Sequence, residues 1–172
     1  MEIIDNYLGP REFGLIKEFF LGPNIPWCFN STSDSEGSYS LSSFQFTHVF
    51  FTSKIAPPCL GSQTISPYFD KISALTDSLQ ISPSTTLRIK ANLQTFSPER
   101  RLGQFHIDMP GMVDVKTAIF YINSNNGYTE FENGARVDSI ENRLVIFKSQ
   151  LLHRGVSCTD VQSRVLLNVN YL

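Results

Sequence analysis

Apolar residues recur at helical spacing in two places in the first half of the chain. From Pro10 to Leu21, Phe13, Ile16, Lys17 and Phe20 keep that spacing, Pro10 suits a first-turn position, and Gly22-Pro23 stops the run. From Pro67 to Gln80, Phe69, Ile72, Leu75 and Leu79 fall on one face, which predicts a second helix. Between the two, Ile25 to Phe29 is predicted as an edge strand because it contains Pro26. Asn30 to Ser38 reads as a polar loop, Phe44 to Phe51 as a strand, and Lys54 to Gly61, with Pro57-Pro58, as a connector.

After Pro83 the period changes to two. Thr86 to Phe96 alternates, with Leu87, Ile89, Ala91 and Leu93 on one face and Arg88, Lys90, Asn92 and Gln94 on the other. Arg88 and Lys90 either serve a pocket on that face or are solvated, and solvation is the expectation. Val115 to Ile122 is almost continuously apolar, as a strand buried on both sides would be. Asn123 to Gly127 is a turn, and Thr129 to Glu132, Ala135 to Ile140, Leu144 to Phe147 and Arg164 to Tyr171 are further short strands. Such spacing suggests a sandwich, barrel or jelly roll. The expected architecture is mainly β with flanking helices, two helices bracing a C-terminal antiparallel β-roll. It is read as one domain over residues 1–172, in which 1–83 support a β-roll core at 84–172.

Composition narrows the class. Hydrophobic residues make up 41% and charged residues 17%, enough for a core and too little charge for a disordered chain. Fourteen Lys and Arg against sixteen Asp and Glu argue against a broad nucleic-acid footprint. No apolar run nears the roughly 20 residues of a membrane helix, and the start Met1 to Asp5 lacks the features of a signal peptide. Cys28, Cys59 and Cys158 are odd in number and widely spaced, so a disulfide framework is not expected. The chain therefore reads as intracellular and cytoplasmic, without a membrane partner. Its oligomeric state is not legible.

Few residues carry chemistry. His106-Ile107-Asp108 puts two potential ligands at i and i+2, on one face if the segment is a strand. With His153 they make two imidazoles and one carboxylate, the set that binds one face of non-haem Fe(II) and leaves the opposite face open. A surface histidine beside an aspartate in a turn is the plainer alternative. Arg164 opens the last strand and shares a face with Leu166, Asn168 and Asn170. A cation there needs an anionic partner, either a dicarboxylate ligand or an ion pair with Asp138 or Glu141. His48 is expected to be a strand histidine with one hydrogen bond, Trp27 a core residue, Cys158 a small buried one, and Arg100-Arg101 an exposed turn.

Taken in order, His106-x-Asp108, His153 and then Arg164 in a β-rich half resemble the Fe(II)/2-oxoglutarate-dependent dioxygenases. The likeness is to the prolyl 4-hydroxylase-like branch and to small phage and bacterial oxygenases of that type. It spans roughly Arg88 to Leu172. It includes Ala118 to Asn123, similar to the family's aromatic-rich strand ending Tyr-Leu-Asn, and Asn126 to Phe131, where the family often has Gly-Gly-x-Thr-x-Phe. The resemblance implies a double-stranded β-helix, or jelly roll, with His106, Asp108 and His153 as Fe(II) ligands at its open end. It implies that Arg164 and Tyr121 hold the distal carboxylate of 2-oxoglutarate, that Asn168 lies at the pocket floor, and that Thr129 and Asn92 line it. The tyrosine that relatives carry near Asn92 is missing here, and Gln94 is a candidate substitute. The implied reaction is hydroxylation of a C–H bond with O2, giving succinate and CO2, with ascorbate in a supporting role. The favoured substrate is a peptidyl proline or another protein side chain, then a small metabolite or amino acid. Asn30 to Ser38 and Pro98 to Gly103 are candidate lids. A cupin-like metal hydrolase or isomerase and a non-catalytic β-roll binding module stay open as alternatives.

Overall fold

The computed structural model describes residues 1–31, 44–57 and 61–172. In chain order the elements are β1 (Glu2–Ile4), α1 (Pro10–Leu21), β2 (Cys28–Asn30), β3 (Gln45–Thr52) and β4 (Thr64–Ile65). A 3-10 turn, Phe69–Ile72, then runs into α2 (Ser73–Ser78). The rest is β: β5 (Thr86–Thr95), β6 (Lys116–Tyr121), β7 (Tyr128–Phe131), β8 (Arg136–Asp138), β9 (Leu144–Lys148), β10 (His153–Val156) and β11 (Ser163–Tyr171).

Among the described residues the strands pair into two antiparallel sheets. The larger has the order β1-β9-β6-β11-β5-β3-β2, with β4 against β3, and the smaller has the order β10-β7-β8. The two sheets sandwich an apolar cluster. Phe131 and Val137 reach it from the small sheet, and Ile119, Tyr121, Val145, Phe147 and Leu166 from the large one. This is a jelly roll, as expected. The large sheet uses its outer face as well: Ile89, Ala91, Phe120, Leu144, Val165 and Leu167 pack there against Phe13, Ile16 and Phe20 of α1 and against Ile72 and Leu75. That double burial accounts for the continuous apolar run of β6. It also means that the polar stripe of β5 faces the space between the sheets and not bulk water.

The first helix has the expected bounds, with Pro10 in its first turn and Phe13, Ile16 and Phe20 buried. The second predicted helix is shorter and broken. Ser73, Thr76, Asp77 and Ser78 are weak helix formers that compete for backbone hydrogen bonds, and Gln80 leaves the helical region at φ +54°. The N-terminal edge strand is limited to Cys28–Asn30, at the end of the sheet order. The polar loop from residue 32 onward and Cys59 lie outside the described residues. Three strands escaped the period-two search: β1, which pairs with β9, the two-residue β4, which pairs with β3, and β10, which pairs with β7. His48 makes two hydrogen bonds instead of one, to the Pro26 carbonyl and the Ser66 hydroxyl. Trp27 is half-buried against the outer cluster, and Cys158 is buried. Among the described residues no helix is long and apolar enough to cross a membrane.

Asn142 fastens the N-terminal segment to the sheet. Its backbone sits at φ +59°, a region asparagine tolerates. Its side-chain oxygen accepts from Leu8 N–H and its amide nitrogen donates to Leu8 C=O, both at 2.9 Å. Asn142→Ala strands two buried main-chain groups, so we expect a loss of about 2–4 kcal/mol, read by urea denaturation. A loss under about 0.5 kcal/mol would mean that water replaces the amide at no cost.

Candidate metal centre

His106 and His153 meet through their main chains. Each N–H donates to the other's carbonyl at 3.0 Å, an isolated antiparallel bridge that turns both rings to one side. The ring centroids are 4.6 Å apart. Asp108 joins them from a bend after the bridge. The His-x-Asp pair therefore does not lie on a regular strand, as expected from its spacing; only His106 is bridged, and the loop brings Asp108 round. The three ligand atoms lie within 4.8 Å of one another, a group that could hold a metal ion.

The surroundings prepare each group for that use. His106 Nδ1 lies 3.0 Å from the Gln104 carbonyl, and His153 Nδ1 lies 2.9 Å from the Leu151 carbonyl. Because a carbonyl only accepts, each Nδ1 carries a proton and each Nε2 is the nitrogen left to face the site. Burial pushes the His153 pKa down against the pull of Asp108, which favours the neutral ring. Burial works the other way on Asp108, but His153, Arg88, Asn168 and His106 outweigh it and hold the carboxyl well below the usual range. Asp108 Oδ2 accepts from Thr117 at 3.0 Å, Asn168 at 3.0 Å and Asn170 at 3.1 Å. Thr117 and Asn170 were missed in the sequence, although Asn170 shares the polar face of Arg164.

A cavity opens beside these three groups, lined also by Lys90, Asn92, Gln94, Thr129, Arg164 and Asn168. Arg164 is 3% exposed, yet among the described residues no carboxylate pairs with it. Glu141 binds Lys17 instead, and Asp138 is exposed, so the proposed intramolecular ion pair is absent. The Arg164 guanidinium donates to Ser139 Oγ at 2.9 Å, Thr129 Oγ1 at 3.2 Å and Gln94 Oε1 at 3.4 Å. Of the five guanidinium N–H groups, these three bonds leave two without a hydrogen-bond acceptor among the described residues. Thr129 Oγ1 also accepts from the Tyr121 hydroxyl at 2.7 Å, so its own proton is free to be donated. Tyr121 is fully buried beneath the Arg164 guanidinium, 5.7 Å from ring centroid to Cζ, and it reaches the cavity through Thr129.

Three expectations need correction here. Arg88 and Lys90 do not stand out in bulk water: both are half-buried, Arg88 lies 3.5 Å from Asp108, and Lys90 lines the cavity. Arg101 is not an exposed turn residue, since it is half-buried and donates to the Thr95 carbonyl, whereas Arg100 is exposed. Pro98 to Gly103 is stitched to the strand after His153 by Gly103 N–H to Gly155 C=O and Ser157 N–H to Arg101 C=O, both 3.0 Å, so it does not hang free as a lid.

Gly127 lets Arg164 lie where it does. A Cβ there would stand 2.7 Å from Arg164 Cδ, 2.7 Å from the Val156 carbonyl and 2.8 Å from Asn125 Oδ1. Gly127→Ala should cost about 1–3 kcal/mol of stability and displace the guanidinium. Thermal unfolding checks the first effect. A crystal structure of the variant with Arg164 unmoved would refute the second.

No family model matches the chain, and no curated protein matches it by sequence. Solved structures do match in fold. A prolyl hydroxylase from Trichoplax adhaerens, in complex with a peptide fragment of the hypoxia inducible factor oxygen degradation domain, aligns over 99% of this chain and 82% of its own, with TM-score 0.63 and 16% identity. A 2OG-Fe(II) oxygenase family oxidoreductase from Burkholderia pseudomallei aligns over 98% and 84%, with TM-score 0.63 and 7% identity. A viral collagen prolyl hydroxylase from Paramecium Bursaria Chlorella virus-1 aligns over 99% and 88%, with TM-score 0.55 and 13% identity. At these identities the likeness is one of fold, and the fold is the one implied by the resemblance in the sequence.

Proposed function

We propose that the chain is an Fe(II)- and 2-oxoglutarate-dependent dioxygenase that hydroxylates a C–H bond of its substrate. The observation that carries this reading is a buried arginine without a carboxylate partner among the described residues, in the same cavity as two imidazoles and an aspartate. Those residues fit the implied groups. Two nitrogen ligands and one anionic oxygen suit a divalent iron, and two free guanidinium N–H groups with a free Thr129 hydroxyl suit a carboxylate. When bound, iron, 2-oxoglutarate and O2 supply the oxidation, in which one oxygen atom enters the substrate C–H bond and the other enters succinate as CO2 leaves.

The chain's own residues do the positioning. His106, Asp108 and His153 would hold the metal, with Thr117, Asn168 and Asn170 fixing the Asp108 carboxylate. Arg164 and Thr129 would bind the distal carboxylate, and Tyr121 would act on it through Thr129 as a positioning residue. Asn92 and Asn168 would line the remaining space; each has a buried amide oxygen without a donor, which suits a ligand that carries an N–H. The N-terminal strands β2 and β3 continue the same sheet as β5 and β11, which supports reading 1–172 as one domain. Ascorbate would act in its supporting role by keeping the metal reduced. A peptide substrate is the first class to test, because one neighbour of this fold was solved with a peptide bound.

Anaerobic titration with Fe(II), with and without 2-oxoglutarate, tests the reading. A weak visible metal-to-ligand charge-transfer band should grow only when both are present. Metal binding indifferent to 2-oxoglutarate would overturn the oxygenase and leave the metal hydrolase.

A further inference from the structure

Lys90 is the one cavity cation that this reading leaves without a task. It lies on the inner face of β5, two residues from Arg88 and from Asn92, opposite Asn168 on β11 and Val49 on β3. Among the described residues, no carboxylate lies within 4.0 Å of its ammonium and no hydrogen bond reaches it. The nearby anion, Asp108, is already engaged by Arg88, Thr117, Asn168 and Asn170. Burial, followed by the charge of Arg88, pushes the Lys90 ammonium down to about 8, against the pull of Asp108.

Charge balance shows that the proposed ligands do not answer it. Among the described residues, Lys90 and Arg164 line the cavity and Arg88 adjoins it, and the three face a single carboxylate, Asp108. A divalent metal and a doubly ionised 2-oxoglutarate together add no net charge, so the excess of two positive charges persists when both are bound. Lys90 is half-buried, and an ammonium drawn partly out of water without an anion beside it is costly. The groups beside Lys90 add a second requirement. The amide oxygens of Asn92 and Asn168 are buried and lack donors, so a ligand that satisfies all three offers an acceptor anion together with an N–H.

Resting on the oxygenase reading, we infer that Lys90 docks a carboxylate carried by the substrate, which is therefore an amino-acid-like acid. It is either a free amino acid or a peptide that presents its terminal carboxylate. A neutral segment in the middle of a peptide would leave Lys90 uncompensated.

Equilibrium binding to the Mn(II)-loaded protein with 2-oxoglutarate, under nitrogen, tests this without turnover. The probes are matched pairs: acetate and acetamide, L-proline and L-prolinamide, and a Gly-Ala-Pro peptide as free acid and as amide. The acid should bind about tenfold tighter than its amide, the scale of one charge-assisted contact. Lys90→Met should abolish that preference and Lys90→Arg should keep it, while the affinity for 2-oxoglutarate stays within about twofold in both. If L-proline shows the preference and the peptide does not, the source is a free amino acid; the reverse identifies a chain terminus. Equal binding of every acid and amide overturns the inference, as does a preference that survives Lys90→Met. A fall in 2-oxoglutarate affinity in Lys90→Met also overturns it, because Lys90 would then belong to the co-substrate. If 2-oxoglutarate fails to bind the wild type at all, it is the oxygenase reading that fails.

Discussion

Replacing Arg164 by methionine is expected to stabilise the ligand-free protein and, in the same molecule, to weaken 2-oxoglutarate binding by about a hundredfold. The two effects have one cause. Arg164 is 3% exposed, and among the described residues its hydrogen bonds go to neutral acceptors, Ser139, Thr129 and Gln94. A buried cation so placed has lost its hydration without gaining a counter-ion, and an apolar side chain of similar length removes that cost. Loss of three hydrogen bonds offsets part of the gain, so the net rise is about 1 kcal/mol. Urea denaturation of the ligand-free protein measures the first effect, and calorimetric titration of the Mn(II) form measures the second. If Arg164 is structural, both signs change: Arg164→Met then loses stability and keeps its affinity for the co-substrate.

His153→Ala is expected to lower metal affinity by more than about a hundredfold, beyond what disturbing an outer partner of a ligand costs. His153 is the most enclosed ligand, 3% exposed, with its ring 4.9 Å from Phe147 and 6.1 Å from Phe131. Its exchange of hydrogen bonds with His106 is made by the main chain, so the bridge survives the substitution. The charge-transfer band should vanish while the far-ultraviolet circular dichroism stays that of the wild type. A His153→Ala protein that still forms the band would remove this residue from the metal centre. His153→Gln keeps most of the side-chain volume and separates loss of a ligand from loss of packing.

Much of this was legible before any tertiary structure. Pro10, the apolar positions at 13, 16 and 20, and Gly22-Pro23 encode a helix locally, and the helix has those bounds. The alternation of 86–96 and the apolar run of 115–122 likewise encode strands through their period. The second helix was less legible, because its apolar spacing suited a longer helix than its serines and threonine sustain. Strand β10 has no local signal at all. His153, Arg154 and Gly155 neither alternate nor favour strands, and they become one only by pairing with Phe131, Glu130 and Thr129.

The candidate site divides in the same way. The identities and order of His106, Asp108, His153 and Arg164 are properties of the sequence, and they sufficed to suggest a metal and a dicarboxylate. Their convergence is not, since 45 residues separate Asp108 from His153 and what joins them is a bridge and a bend in place of strand spacing. The tertiary structure also decided which side of β5 meets water. Alternation says that the two faces of a strand differ, but not what covers each. Here the helices and outer cluster take the apolar face, and the small sheet closes over the polar one, so Arg88, Lys90, Asn92 and Gln94 face inward. Local periodicity determined the elements and the chemistry available to them. Burial, which depends on the whole chain at once, decided which charges would be left needing a ligand.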